Sequence, residues 1–323
     1  ALLDDHNEAH ALKQAGSWKE AQNSPLFRGR AVLNETVDRS KIDEEVRHRD
    51  WNAEFQALLD MQSATPIEAK QRGEAIAQLW QDFRDAVLPV VETVICERNN
   101  PVKTIPLQSI GGIAGGDKYI FGNIVIKFCA TKNTISEKLY GAYEKAIKSA
   151  SNERKGMNAL IQANLPHLYM PLGMVVTYLG HRVWVASKIP VGEKTLKYGS
   201  RDAGNTVEAH DEPSHRLMAQ AASQLNLAPH FVGKRGKDLV EMCGPVDLEI
   251  HCGDDGRYYA LDTARLFPPD PNPRTGKPRH FYLYKSLRPE HVRNNPVPLS
   301  SDAHSPFGHH NFVTHDQQVE VAG

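Results

Sequence analysis

Apolar residues recur three and four positions apart in the first hundred residues of the chain, and they alternate with polar residues in much of the remainder. The helical spacing is clearest in "WNAEFQALLDMQ" (51–62) and "EAIAQLWQDFRDAVLPVVETVICER" (74–98), which predicts two amphipathic helices. Pro89 is expected to kink or break the second helix, and Asn99-Asn100-Pro101 to end it. We therefore predict an N-terminal helical region over residues 1–100.

The pattern changes after residue 100 to short strands mixed with helices. The stretch "SIGGIAGGDKYIFGNIVIKF" (109–128) places a glycine-rich turn before an apolar strand that ends near Lys127. Glycines allow backbone amides to approach a phosphate closely, and a lysine on the next strand can neutralise its charge. The predicted phosphate-binding glycines are Gly111, Gly112, Gly115 and Gly116. The alternative is a β-hairpin with glycine turns and one exposed lysine.

The elements predicted next follow the order of a protein-kinase small lobe. Residues 134–163 read as a helix that carries Glu153, a candidate partner for Lys127, and two apolar strands follow over 168–178 and 181–189. Ser187, near the end of the last strand, is a candidate cofactor contact where a kinase hinge would begin. An exposed helical carboxylate is the alternative for Glu153. Lys127 and Glu153 are nevertheless candidate catalytic residues.

A second candidate site lies on a predicted β-hairpin. An amphipathic helix over 213–229 precedes "VDLEIHC", the turn "GDDG" and "RYYALDTARL" (246–266), and Asp-Gly between such runs indicates a hairpin. Asp247 is the candidate catalytic acid that positions a hydroxyl group. Asp262 is the candidate Mg²⁺ ligand, with Glu249 or His251 as a second. The alternative for Asp262 is a buried ion pair with Arg265.

Composition and charge give no sign of a nucleic-acid-binding, membrane-spanning or disulfide-rich protein, but they do not choose among the functions considered above. Lys and Arg number 38 against 39 Asp and Glu, which leaves a formal charge of −1, so no global field favours nucleic acid or an anionic membrane. The chain contains no run of 18 apolar residues, so the sequence predicts no transmembrane helix. Four cysteines without C-x-x-C spacing are typical of reduced thiols in the cytoplasm, or in a host cytosol after delivery. The aromatic run after residue 280 predicts that residues 281–308 pack on the core, whereas 312–323 form a flexible tail.

Several segments resemble the Clu domain of the clustered-mitochondria family. "NERKGMNAL", "HRVWVASKIPVGEKTLKYGSRDAG", "LNLAPHFVG", "LDTARLFPP" and "RPEHV" occur in the order found in that domain. The resemblance covers roughly residues 105–310, and we assign residues 101–311 to a Clu-like domain. It implies RNA as an alternative partner. It supplies no catalytic residues.

The predicted fold class is α+β, with a kinase-like arrangement of two lobes after the N-terminal helices. The favoured hypothesis is an atypical kinase-like phosphotransferase that binds ATP and Mg²⁺ and acts on a protein or small-molecule acceptor. The chain lacks the H-R-D-x-x-x-x-N and D-F-G signatures of protein kinases. Two alternatives stay open: a catalytically silent Clu-like interaction module that binds protein or RNA, and an ATP-dependent ligase.

Overall fold

The computed structural model describes residue 44 and residues 46–108, 117–129, 143–202, 204–233, 239–270 and 280–305. The described helices are α1 (Trp51–Asp60), α2 (Pro66–Cys96), α3 (Tyr143–Ala163), α4 (Glu212–Leu225) and α5 (Pro289–Arg293). The strands are β1 (Leu107–Gln108), β2 (Lys118–Phe121), β3 (Ile124–Phe128), β4 (Leu168–Tyr169), β5 (Gly173–Tyr178), β6 (His181–Ser187), β7 (Leu196–Tyr198), β8 (His230–Val232), β9 (Val240–Met242), β10 (Glu249–Cys252) and β11 (Tyr258–Leu261). The fold is therefore mixed α+β, as the sequence predicts.

The first sheet is antiparallel and carries the N-terminal helices on one face. Its strand order is β1-β2-β3-β6-β5. Side chains of alternate residues, such as Ile124, Ile126 and Val185, join one apolar cluster with Trp51 and Phe83 of the helices. The opposite face carries the intervening residues, because successive side chains of a strand point to opposite faces. Helices α1 and α2 are thus part of the same core as the sheet.

The second sheet has the order β4-β11-β10-β7 and belongs to a separate apolar cluster. Strands β10 and β11 form the predicted antiparallel hairpin, with Glu249 opposite Leu261. Helix α4 covers this cluster with Leu217, Ala221 and Leu225, which are the three residues that its sequence spacing predicts to share a face. Strands β8 and β9 form a further two-stranded sheet.

Helix α3 packs closely on the segment that follows β11. A Cβ atom on Gly156 would lie 2.2 Å from the carbonyl oxygen of Thr263, so only glycine allows this approach. Thr263 begins a 3-10 turn over Thr263–Arg265. The contact fixes the position of α3 relative to the end of β11, where the two candidate acids Glu153 and Asp262 lie.

Polar side chains of α1 link the helices to the second sheet. Asn52 Nδ2 donates to the hydroxyl of Tyr259 at 2.9 Å, and Gln56 Nε2 donates to the carbonyl of Met170 at 2.8 Å. Asn52 and Gln56 are buried. Helix α1 therefore joins both parts of the core, which the sequence did not indicate.

The C-terminal arm packs on the core over its described residues, as predicted. Phe281, Tyr284, Val292 and Leu299 are buried, and Asn152 Nδ2 of α3 donates to the carbonyl of Tyr284. The last part of the predicted arm and the predicted tail lie outside the described residues. The domain boundaries proposed at 100 and 311 stay predictions.

Two local features differ from the sequence prediction in part. Helix α2 runs through Pro89 without the predicted break, because Val87, Val90 and Val91 around it are buried against the first sheet and hold the helix together; the predicted kink stays a prediction. The apolar run 168–178 is divided at Pro171: β5 pairs with β6, whereas β4 pairs in parallel with β11 of the second sheet. Within the described part of the chain, no helix has the length and apolar character to cross a membrane.

Candidate functional site between the two sheets

Two lysines lie side by side on the face of the first sheet that is turned away from α1 and α2. Lys118 of β2 is paired directly with Lys127 of β3, and Lys127 is also paired with Trp184 of β6. The pKa of Lys118 is lowered, chiefly by loss of hydration and then by the charge of Lys127, while Asp262 and Glu249 oppose the change. Two like charges on paired positions are unfavourable, so the acids nearby stabilise this arrangement.

Glu153 of α3 provides a carboxylate close to these lysines. It accepts hydrogen bonds from the backbone N–H of Thr263 at 2.9 Å and from the Thr263 hydroxyl at 3.1 Å. Loss of hydration and then the charge of Asp262 raise the pKa of Glu153 to about 7, although Lys127 lowers it. The structure therefore brings together Glu153, Lys127 and Asp262, as the sequence predicts, and couples their charges.

Asp262 lies at the end of β11 in a left-handed backbone conformation, with φ 54° and ψ 48°. Partial loss of hydration raises its pKa; Lys127 opposes the rise, and Glu249 and Asp247 add to it. Asp262 is nonetheless an exposed residue, so water reaches the carboxylate and the shielding is incomplete. An exposed carboxylate surrounded by other charged groups is accessible to a ligand. We call the region bounded by Lys118, Lys127, Glu153 and Asp262 the candidate cleft.

Arg265 does not pair with Asp262 as the alternative interpretation proposed. Its Nε donates to both carboxylate oxygens of Asp247 at 2.9 Å, and its Nη2 donates to Asp302 Oδ1 at 2.6 Å. The reason is geometric: Asp262 starts a turn, and Arg265 at the end of that turn is buried toward the C-terminal arm. Asp247, the candidate catalytic acid, is thus held in an ion pair by a buried guanidinium group.

The two candidate second metal ligands bond to each other. His251 Nε2 and Glu249 Oε2 lie 2.8 Å apart, and His251 Nδ1 lies 2.9 Å from the Thr195 hydroxyl. Both side chains are largely buried. They share one face of β10, as predicted, but Asp247 precedes that strand, which begins at Glu249. The prediction that Asp247 shares a strand face with Glu249 and His251 is therefore wrong.

The remaining candidate residues are the glycines and Ser187. Gly111, Gly112, Gly115 and Gly116 lie outside the described residues. Ser187 is buried in β6, where its hydroxyl accepts from the N–H of Leu172 and its own N–H donates to the Leu172 carbonyl. The hydroxyl of Ser187 is therefore used within the first sheet, and its role as a cofactor contact stays a prediction.

The donor set fits a metal ion only if a ligand brings additional oxygens. Among the described residues, no group of three or more His, Cys, Asp or Glu side chains is arranged to hold a metal. Asp262 supplies one accessible carboxylate, and Mg²⁺ in proteins is often held by one or two carboxylates together with substrate phosphates and water. The two lysines place positive charge close to this carboxylate. The site therefore carries the charges that a phosphate-bearing ligand together with a cation would require.

Three participants in this region were missed by the sequence reasoning. Lys118 could have been found, because the hairpin register that places Lys127 also places Lys118 opposite it. No sequence pattern indicated that Thr263 or Asp302 takes part in this site. A threonine after a strand is common, and the contact between Asp302 and Arg265 joins residues 37 positions apart.

The comparisons with known proteins identify one family. The family model described as "Clustered mitochondria" (CLU) matches residues 50–272. The chain is 32% identical over 232 residues to "Clustered mitochondria protein homolog" of Brugia malayi and 31% identical over 234 residues to "Protein clueless" of Drosophila persimilis. The matched part is 69% of this chain in both cases. No solved structure matches.

The relatives are much longer than this chain, which spans 16% of the Brugia malayi protein and 19% of "Clustered mitochondria protein" of Arabidopsis thaliana, where identity is 26% over 284 residues. These relatives are named as clustered mitochondria or clueless proteins and not as kinases. The hypothesis of a phosphotransferase is therefore wrong, and the Clu-like alternative agrees better with the relatives. The family model covers more than half of the chain and includes the candidate cleft, so the chain belongs to the clustered mitochondria (CLU) family.

Proposed function

We propose that this chain is an interaction module of the CLU family that binds a protein partner. The observation that carries the proposal is the ion pair between Asp247 and Arg265, in which the guanidinium group is buried. A general base must be free to accept a proton, and Asp247 is committed to this pair. Glu249 is committed in the same way to His251. Such charge networks stabilise a defined shape, which a binding module requires.

Protein is favoured over RNA as the partner on grounds of charge. The formal net charge is −1, whereas binding to RNA draws most of its affinity from cationic side chains that neutralise phosphates. RNA binding is implied by the family resemblance alone. It is therefore the second candidate, and a nuclease step separates the two. We expect the module to act in the cytoplasm.

The finer arrangement of the fold is also part of the proposal. The order β1-β2-β3-β6-β5, with α3 inserted between β3 and the β5–β6 hairpin, matches the order of elements in a kinase small lobe. The second apolar cluster would then be the large lobe, with Lys127, Glu153 and Asp262 in the cleft. We propose ATP with Mg²⁺ as the ligand of this cleft, bound without transfer of its phosphate. Its role would be to hold the lobes in one arrangement.

Affinity capture with the tagged full chain tests the proposal. The extract should come from the organism that supplies the sequence and be treated with nuclease before capture. We expect one or a few proteins to be retained reproducibly above the level of an unrelated control of equal charge. If all retained proteins disappear after nuclease treatment, the partner is RNA. If nothing is retained, the interaction-module proposal is wrong.

A further inference from the structure

A groove separate from the cleft follows the outer edge of the first sheet. It has a volume of about 580 Å³, and its walls come from α2, α3, β5 and β6. Trp80 of α2 forms one side and Arg154 of α3 the other. Met174 and Val175 are neighbours on β5 and point to opposite faces of the sheet. A groove that touches both therefore runs along the edge of β5.

Strand β5 is an edge strand, and its backbone is accessible at the half-buried Val175 and the exposed Thr177, whereas Gly173 is buried. It pairs only with β6 in the described sheet. The N–H of Ser187 donates to the carbonyl of Leu172, so Leu172 and Ser187 form a hydrogen-bonded pair. Because such pairs alternate in an antiparallel ladder, Gly173, Val175 and Thr177 direct their N–H and C=O groups away from β6. These three residues line the groove.

The described residues that line the groove give it a positive charge. Its lining contains Arg154 and Arg182 and no carboxylate. Arg182 donates to the hydroxyls of Thr177 at 3.2 Å and Ser151 at 3.0 Å, both of which are neutral. Arg154 is exposed and forms no ion pair within the part of the chain that the structure describes. Two guanidinium groups that face one groove with neutral partners favour a ligand with carboxylates.

We propose that the edge of β5 binds an extended acidic segment of a partner protein by strand addition. The partner backbone would pair with the outward groups of Val175 and Thr177, which is a recurring mode of peptide recognition. Its acidic side chains would reach Arg154 and Arg182, and an apolar or aromatic side chain would lie on Trp80. This inference rests on the proposed function, because it names the chemistry of the partner that the module binds.

The test uses fluorescence anisotropy with the full chain and a labelled peptide of about eight residues, long enough to span the six-residue β5. The probe alternates glutamate with valine and threonine, and a lysine-for-glutamate peptide serves as its counterpart. We expect binding of the acidic peptide alone. Arg154→Glu and Arg182→Gln should each weaken binding by about tenfold or more, since charge-assisted hydrogen bonds are lost. Glutamine keeps a donor near the position of Arg182 Nε, which bonds the Thr177 hydroxyl, so the variant retains a local contact.

Matched controls separate local recognition from net charge. Lys70→Glu and Arg216→Glu reverse exposed cations that lie in helical pairs with Glu74 and Glu212, away from the groove lining. They should leave the affinity within about twofold, since exposed pairs contribute little. Two further peptides carry methyl groups on alternate backbone nitrogens, one at the odd and one at the even positions. Only the peptide whose methylated nitrogens face β5 should lose binding, because alternate residues of a strand bond to the same neighbour.

Several results would overturn the proposal. They are equal binding of the acidic and basic peptides, insensitivity to Arg154→Glu, or equal tolerance of both methylation patterns. Displacement of the peptide by single-stranded RNA with the same dependence on Arg154 would assign the groove to nucleic acid instead. If the peptide does not bind but affinity capture still retains a protein, the groove assignment fails and the interaction module stands. If the peptide binds but capture retains nothing, the groove assignment stands and the interaction-module proposal fails.

Discussion

Arg265→Leu should destabilise the protein far more than the loss of any exposed arginine. Arg265 is 4% exposed and Asp302 is 0% exposed. Removing the guanidinium leaves Asp302 with hydrogen bonds from His230 and from the backbone of Val246, but without the cation at 2.6 Å. Breaking a buried ion pair on one side typically costs about 3–5 kcal/mol. For a large domain this corresponds to a fall in melting temperature of roughly 6–20 °C.

The dependence on pH gives this prediction a second readout. Burial works to raise the pKa of Asp302, but the charge of Arg265 and the hydrogen bond from His230 outweigh it and hold the pKa below its ordinary value. Asp302 therefore stabilises the wild-type fold above its unfolded-state pKa, and this stability is lost as pH falls through its lower folded-state pKa. In Arg265→Leu, burial is no longer offset, so protonation of Asp302 relieves the damage. The difference between variant and wild type should narrow as pH is lowered.

Thermal unfolding followed by circular dichroism between about pH 4 and pH 8 measures both effects. The matched control is Arg84→Leu, which removes an ion pair whose side chains are 48% and 58% exposed. Exposed pairs contribute about 0–1 kcal/mol, so this variant should melt close to wild type at every pH. The reasoning is refuted if Arg265→Leu melts within the range of Arg84→Leu.

Three further predictions concern the cleft and the arm. Asp262→Asn should abolish Mg²⁺-dependent binding of ATP in calorimetry and leave the circular dichroism unchanged, because asparagine tolerates the left-handed conformation; unchanged binding would remove the metal role. The pKa of Glu153 is raised from 4.5 to about 7, so its contribution to stability is full below pH 4.5 and is lost as pH rises through about 7. The wild-type chain should lose stability over this interval, and Glu153→Gln should lose less. Parallel plots of stability against pH for the two chains would contradict the assignment. Truncation after Asp270 should give insoluble or molten protein, because it removes the buried Tyr284 and Val292, while removal of residues 312–323 should be tolerated; rapid native proteolysis at Lys285 would contradict a packed arm.

Elements with strong local signals could be predicted from the sequence. Helix α4 followed from the spacing of Leu217, Ala221 and Leu225, and all three are buried on one face. The hairpin of β10 and β11 followed from the glycine-containing turn between two apolar runs. The proximity of Lys127, Glu153 and Asp262 also followed, because the order of elements limits how the strands and α3 can pack.

Other contacts between distant segments could not be predicted. Asn52 and Tyr259 are 207 positions apart, and no local pattern in either segment indicates the pairing. Strand β4 has two residues, too few for a periodicity. The placement of Asp247 on the strand was wrong, since β10 begins at Glu249. The sequence shows that Asp247 is acidic and near a strand, but its role depends on Arg265, which also reaches Asp302 of the arm.

The central claim, that this chain is a protein-binding module, is tested most directly by its size in a nuclease-treated extract. The chain alone has a mass of 36.0 kDa, and size-exclusion chromatography with quantitative detection of the tagged chain reports whether it migrates in a larger assembly. We predict a larger assembly that survives nuclease and that shrinks toward the size of the chain alone in Arg154→Glu but not in Arg216→Glu. Migration of the wild-type chain at the size of the chain alone would contradict the account.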